Sequence, residues 1–191
     1  MKVGYSVEGS TDRAFLRGLR DRWCLEATLL EGRFRGQSGQ SQRREIPNTC
    51  LELTSKSVDL IIFMRDANNE DWQEVLKGDS NRCREEHRHL VVFAVCDRNI
   101  ECWLCADRDF IAGWTNRKPD DFDQPDPKKT FEQALGLSAR TRGEKEPEIA
   151  SLVCKAPLKH WLSNKSFEAF YEELRRQSKR LACQIENLRE R

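Results

Sequence analysis

Apolar and polar positions first alternate along "KVGYSV" (2–7), where Val3, Tyr5 and Val7 share one side, and this predicts a strand. Ser10 can then cap a helix running to about Cys24, with Phe15, Leu16, Leu19 and Trp23 on one face. "ATLLEGRF" (27–34) predicts a second strand, and a helix is expected over roughly 43–56. Two later segments, "VDLIIFM" (58–64) and "HLVVFAV" (89–95), are apolar without alternation, the pattern of strands buried on both faces. A helix over about 70–87 separates them, and a short helix carries "NIECWLCAD" (99–107). Strands and helices taken in turn predict an α/β fold whose central sheet is mainly parallel and flanked by helices.

"PDDFDQPD" (119–126) is acidic and flanked by proline, which predicts a linker. The expected organisation is therefore an α/β core over 1–118, followed over 119–191 by this linker and a helical C-terminal extension packing on the core. The last helix is expected from Ser166 to about Arg189. Its apolar positions Phe167, Tyr171, Leu174, Leu181, Ile185 and Leu188 make a heptad seam interrupted at Ser178. So thin a seam calls for a partner surface, and residues 176–191 are expected to form a homodimer or hetero-oligomer through the C-terminal helix.

Composition narrows the function classes. With 38% hydrophobic and 34% charged residues the chain is globular with a very polar surface. The longest apolar run, Leu90 to Cys96, is far too short to cross a bilayer, and no targeting segment is seen, so no membrane association and a cytoplasmic location are expected. Eight irregularly spaced cysteines are then expected as reduced thiols. The net charge of +1 gives no overall pull toward nucleic acid. One segment does: "RFRGQSGQSQRR" (33–44) holds Arg33, Arg35, Arg43 and Arg44 without an acid, in a loop suited to phosphate contact.

The candidate chemistry lies where strands end. Glu8 follows the first strand and Asp66 the "VDLIIFM" strand, and in open α/β sheets the carboxyl ends of the strands are where ligands bind. With Asn68 two residues on, these groups make an oxygen-rich set suited to Mg2+ or Mn2+. Gly9 is expected to permit a sharp turn and close substrate approach, and Ser10 and Thr11 at the helix start offer donors to a phosphate oxygen.

"VEGSTDRAFLRGL" and "VDLIIFMRDAN" together resemble the TOPRIM domain, whose pattern is Glu-Gly after the first strand and Asp-x-Asp after a later one. The likeness extends to the small stand-alone TOPRIM-like proteins encoded beside ATPases in bacterial anti-phage loci, related to the OLD-family nucleases. It is supported by "NIECWLCAD", "DPKKTFEQAL", "EKEPEIASLV" and "SFEAFYEEL" in order. The resemblance implies a metal-dependent nuclease cleaving DNA or RNA with Mg2+ or Mn2+, acting as effector of an ABC- or AAA-type ATPase in antiviral defence. Residue by residue it implies catalytic roles for Glu8, Asp66, Glu101 and Lys145, and metal ligation by Glu8, Asp66 and Asn68. Asn68 stands where the family pattern has its second aspartate, which removes one charge; Asp71 could supply it. Asp12, one turn into the first helix, is similarly placed. Ser10, Thr11, Arg35, Arg43 and Arg44 would contact phosphate.

Two alternatives belong beside that reading. One is a non-catalytic adaptor or sensor subunit of the same fold. The other is a zinc or redox module built on Cys102-x-x-Cys105 with Cys96, His87 and His89 nearby. No Gly-x-x-x-x-Gly-Lys loop and no Gly-x-Ser-x-Gly elbow occur, which excludes P-loop nucleotide hydrolysis and the serine-hydrolase elbow. His160 lacks a neighbouring nucleophile and is expected to be structural.

Overall fold

The computed structural model describes residues 1–24, 26–35, 38–136, 142–181, 183 and 185–189. Four strands, β1 (Lys2–Val7), β2 (Thr28–Arg35), β3 (Leu60–Asp66) and β4 (Val91–Cys96), form one all-parallel sheet in the order β2-β1-β3-β4. Parallel neighbours need crossovers, and helices supply them: α1 (Ser10–Trp23), α2 (Gly39–Ser55) and α3 (Trp72–Ser80). Beyond β4 come α4 (Glu101–Leu104), α5 (Arg108–Thr115), α6 (Lys128–Ala134), α7 (Arg142–Lys155) and α8 (Lys165–Ser178).

The pleat sorts each strand between two cores. Val3, Tyr5, Val7, Leu60, Ile62, Met64, Val92, Ala94 and Cys96 face the larger one, with α1 and α4–α8. Ile61, Phe63 and Val91 face α2, where Ile46, Cys50 and Leu53 meet them. The larger core is rich in aromatics: Trp103 stacks on Phe170 at 5.5 Å between ring centres and meets Phe167 edge-on at 5.3 Å. Trp103 Nε1 donates to Ser166 Oγ (2.7 Å), so the indole is buried without losing its hydrogen bond. Helix α1 packs most extensively on α7, and Gly18 makes that approach possible, because a Cβ there would stand 2.6 Å from the Ala150 carbonyl oxygen and from Val153 Cβ.

Several elements differ from the sequence expectation. Helix α2 begins at Gly39, inside the stretch expected as a basic loop. The 70–87 helix is broken into α3 and a 3-10 turn over Glu85–Leu90. The 119–126 segment is anchored to the core: a 3-10 turn covers Pro119–Phe122, and Phe122 is buried in the larger core. The largest correction is at the C-terminus, where α8 stops at Ser178 and the heptad seam does not exist as a helix. Ser178 Oγ bonds back to the Arg175 carbonyl (2.9 Å), and the chain then folds over the core. Leu188 is buried in that core, and Leu181 and Ile185 pack against it. Tyr171 OH donates to the Glu186 carbonyl and accepts from Leu188 N–H, and Arg22 pairs with Glu186. The same fold joins Cys24 to Cys183 in a disulfide, with Cα atoms 5.5 Å apart, where reduced thiols were expected. Among the described residues no helix is long and apolar enough to cross a membrane.

Candidate functional site

In the order β2-β1-β3-β4, the chain leaves β1 toward one edge to form β2, and the next strand, β3, lies on the other side of β1. The topology therefore reverses between β1 and β3, and it opens a crevice at their carboxyl ends. Val7 pairs with Met64, so Glu8 stands level with Arg65 and just short of Asp66. Inside the crevice Gln42 Nε2 donates to the carbonyls of Ser6 (2.9 Å) and Met64 (3.2 Å), stapling the two strand ends together.

Four carboxylates from four segments meet here. Glu8 follows β1, Asp12 lies in the first turn of α1, Asp66 ends β3 and Glu101 starts α4. Asp12 Oδ2 accepts from Gly9 N–H at 2.8 Å. Asp66 Oδ1 accepts from Ile100 N–H at 3.0 Å, which ties the β3 exit to the turn after β4. Glu8 Oε1 and Glu101 Oε2 are buried without a hydrogen-bond partner.

Burial is the first cause of every shift in this group, because a desolvated carboxylate resists ionising. It pushes Asp66 up to about 8, with the charges of Asp12, Glu101 and Glu8 adding to it. Glu8 rises to about 7 even though the Arg65 guanidinium opposes the rise. Glu101 rises to about 7 against the field of Lys128. Asp12 rises to about 6, restrained by the amides of Gly9 and Glu8. Lys128, at the start of α6, is the cation that Asp66, Glu101 and Asp12 share. Burial disfavours its charge, yet Glu101, Asp66, Glu132 and Asp12 hold its pKa above the ordinary lysine value.

On the α2 side of the sheet a second set supports Glu8. Arg65 is buried, donates to the Gly39 carbonyl (3.0 Å), and lies 3.5 Å from Asp79 and 3.9 Å from Glu8. Gly39 has no room for a side chain, since a Cβ would fall 2.4 Å from Glu8 Oε1 and 2.5 Å from the Arg65 guanidinium carbon.

The sequence-derived residues divide plainly. Glu8, Asp66, Glu101 and Asp12 come together. Asn68 sits just outside, exposed, with φ of 54°, its N–H donating to the Arg98 carbonyl at 2.7 Å. Asp71 is occupied as the N-cap of α3, accepting from the amides of Gln73 and Glu74. Ser10 and Thr11 open α1, but Gly9 is the N-cap in place of Ser10. Gly9 has φ of −134°, a conformation open to any residue, so no sharp turn requires glycine there. Arg43 pairs with Asp79 (3.4 Å), Arg44 is exposed on α2, and the side chain of Arg35 lies outside the described residues. Lys145 is half-buried on α7, while the field acting on the carboxylates is that of Lys128. The Cys102 and Cys105 thiols are both pushed up by burial, which keeps them protonated.

Lys128, Arg65 and Gln42 were missed as site residues. Lys128 belongs to "DPKKTFEQAL", one of the segments that carries the family resemblance, so its signal was present without a role attached. Arg65 directly precedes Asp66, but its register beside Glu8 follows only from the strand pairing, and Gln42 had no local signal.

The four carboxylates supply oxygen donors, and two of their buried oxygens lack hydrogen-bond partners, so the chemistry of the acids fits a hard divalent cation. As the side chains stand, no three Asp, Glu, His or Cys residues among those described are arranged to hold a metal ion. Comparison of the chain with protein-family models, with curated proteins and with solved structures finds no match.

Proposed function

We propose that this chain is a metal-dependent nuclease, cleaving phosphodiester bonds of DNA or RNA in the crevice between β1 and β3. The observation that carries this reading is the convergence of Glu8, Asp12, Asp66 and Glu101 at the switch point, with surplus negative charge opposed there mainly by Lys128 and Arg65. A group of acids held this close costs stability unless a cation or a proton relieves it.

Asp66, Glu8 and Glu101 would hold Mg2+ or Mn2+, drawing closer than they stand, with the Asn68 amide carbonyl at the rim. A bound ion of this kind polarises a phosphodiester and stabilises charge on the leaving oxygen. The remaining chemistry belongs to the chain. Where Glu8 is not itself bound to the ion, its pKa, raised to about 7, lets it exchange a proton close to neutral pH and act instead as general base toward a water. Lys128 stays charged and can stabilise negative charge as it develops on the phosphate oxygens. Glu8 and Asp66 are also the acids on which the TOPRIM resemblance rests, and from that resemblance we infer an ATPase partner and a role in antiviral defence.

A second reading has an observation of its own. Asn68 in place of an acid, together with the fact that no ligating triad is in place among the described residues, favours a non-catalytic adaptor of the same fold. The deciding experiment incubates purified protein, with and without the neighbouring ATPase, with plasmid DNA and total RNA in Mg2+, Mn2+ or EDTA. Divalent-dependent cleavage that disappears in Glu8→Gln supports the nuclease. Intact substrates in every lane, with the ATPase complex formed, support the adaptor.

A further inference from the structure

Behind the turn that carries Ile100 and Glu101 lies a separate polar recess of about 320 Å3, reached from the same edge of the sheet. It is at the small end of the range for ligand pockets, of a size for one nucleotide-sized group and too small for a base pair with its backbone. The wall between it and the carboxylates is a single turn. Asp66 holds the Ile100 amide on one side, while Arg98 and Cys102 line the recess on the other.

The lining has a recognisable division of labour. Phe122, Pro125 and Pro127 provide apolar surface, and Gln124 and Asp97 offer a donor-acceptor amide and an acceptor. Two guanidinium groups reach it, from Arg98 and Arg108. Arg108 is engaged with Asp123 at 2.6 Å, which leaves the exposed Arg98 as the available one. Arg98 is also held with φ of 63°, a conformation uncommon for a non-glycine residue, and its carbonyl is fixed by Asn68 N–H. The exits of β3 and β4 are thus locked together with the Arg98 side chain beside the recess.

We propose that this recess receives the unstacked nucleotide next to the cleaved phosphodiester, and that the substrate is therefore single-stranded nucleic acid. This rests on the nuclease reading for what happens at the phosphodiester, but the recess binds without it. A base in a duplex would have to leave its stack and its pair to enter, at a cost of a few kcal/mol, whereas a single strand presents its bases freely. The planar Arg98 guanidinium can lie on a base face, and Gln124 and Asp97 can meet the base edge.

The test measures binding in EDTA, where no cleavage occurs, by fluorescence anisotropy with short labelled single strands of DNA and of RNA and with duplexes of the same sequence. The single strands should bind about tenfold more tightly than the duplexes. Arg98→Asn, chosen because asparagine tolerates the left-handed conformation, should remove most of that preference while leaving duplex binding unchanged; Gln124→Ala should weaken single-strand binding by a smaller factor. Equal or tighter duplex binding overturns the proposal, as does an Arg98→Asn variant of unchanged melting temperature that weakens both substrates alike. Divalent-dependent cleavage of duplex without strand preference would leave the nuclease reading standing and remove this one. Selective single-strand binding without cleavage in Mg2+ or Mn2+ would do the reverse.

Discussion

Helix α1 carries two buried charge clusters that begin on adjacent residues and differ in kind. Arg13 pairs with Glu31 (2.6 Å) and Glu146 (3.0 Å), and Arg17 closes the set on Glu146 (2.6 Å), so anions and cations balance across the contact with α7. Asp12, one position earlier, faces Asp66, Glu8 and Glu101, an arrangement in which acids outnumber bases. The first cluster is balanced in charge by the fold itself. The second is left incomplete by the fold, which is how a site built to take something from outside differs from one that only holds helices together.

The strongest way to break this distinction is through activity. Glu8→Gln and Asp66→Ala should each reduce divalent-dependent cleavage by about several hundredfold or more, since loss of a ligand or base costs several kcal/mol of transition-state stabilisation. Full cleavage in either variant, at an unchanged melting temperature, would remove these residues from the chemistry. The balanced cluster should respond in stability instead. Glu146→Ala removes the ion pair of Arg17 and leaves Arg13 with Glu31 alone, and should destabilise the fold by about 1 to 2 kcal/mol by urea unfolding, with kcat per folded molecule unchanged. A loss near zero would mean that the network is no more than a surface pair.

The surplus cluster should respond in the opposite sense. Asp66→Asn keeps an oxygen for the Ile100 amide and is neutral at every pH, so folding no longer has to protonate a carboxylate that is ionised in the unfolded chain, and in EDTA at neutral pH it should raise stability by at least about 1 kcal/mol. A lowered melting temperature would show that the Asp66 charge is already compensated. A further test is the pH dependence. Asp66, Glu8, Glu101 and Asp12 all have folded pKa values above those of unfolded carboxylates, near 4. The folded state therefore binds more protons than the unfolded state between about pH 4 and about pH 8, and stability should fall as pH rises through that window. Thermal melts in EDTA should show this fall, and Mg2+ should flatten it if the acids hold the ion. A rise of stability over the same window would contradict the raised values.

How much of this was legible in the sequence depends on the range of the signal. The four strands, their parallel arrangement and the acids at the ends of β1 and β3 follow from local pattern: alternation at Val3, Tyr5 and Val7, an apolar run at Leu60–Met64, and carboxylates directly after each. Hydrophobic periodicity is a property of neighbours in sequence, so it is written where it acts. Helix ends were less legible. A heptad count carried the last helix on to Arg189, but a heptad cannot say whether Leu181, Ile185 and Leu188 face a partner or their own core, and here the crevice beside Tyr171 and Trp23 took them.

Only the tertiary structure decided which charges share the crevice. The sequence by itself determined that Glu8 and Asp66 stand at strand ends. It did not determine that Arg65 lies level with Glu8 on the opposite face from Asp66, which follows from the pairing of Val7 with Met64. Nor did it show that the charge of Lys128, far along the chain, acts on Glu101, Asp66 and Asp12. The physical reason is that burial and Coulomb fields depend on distance in space. A carboxylate's pKa is fixed by what the fold brings against it, and four acids separated by up to most of a domain become one site only when the sheet order brings their segments to the same edge.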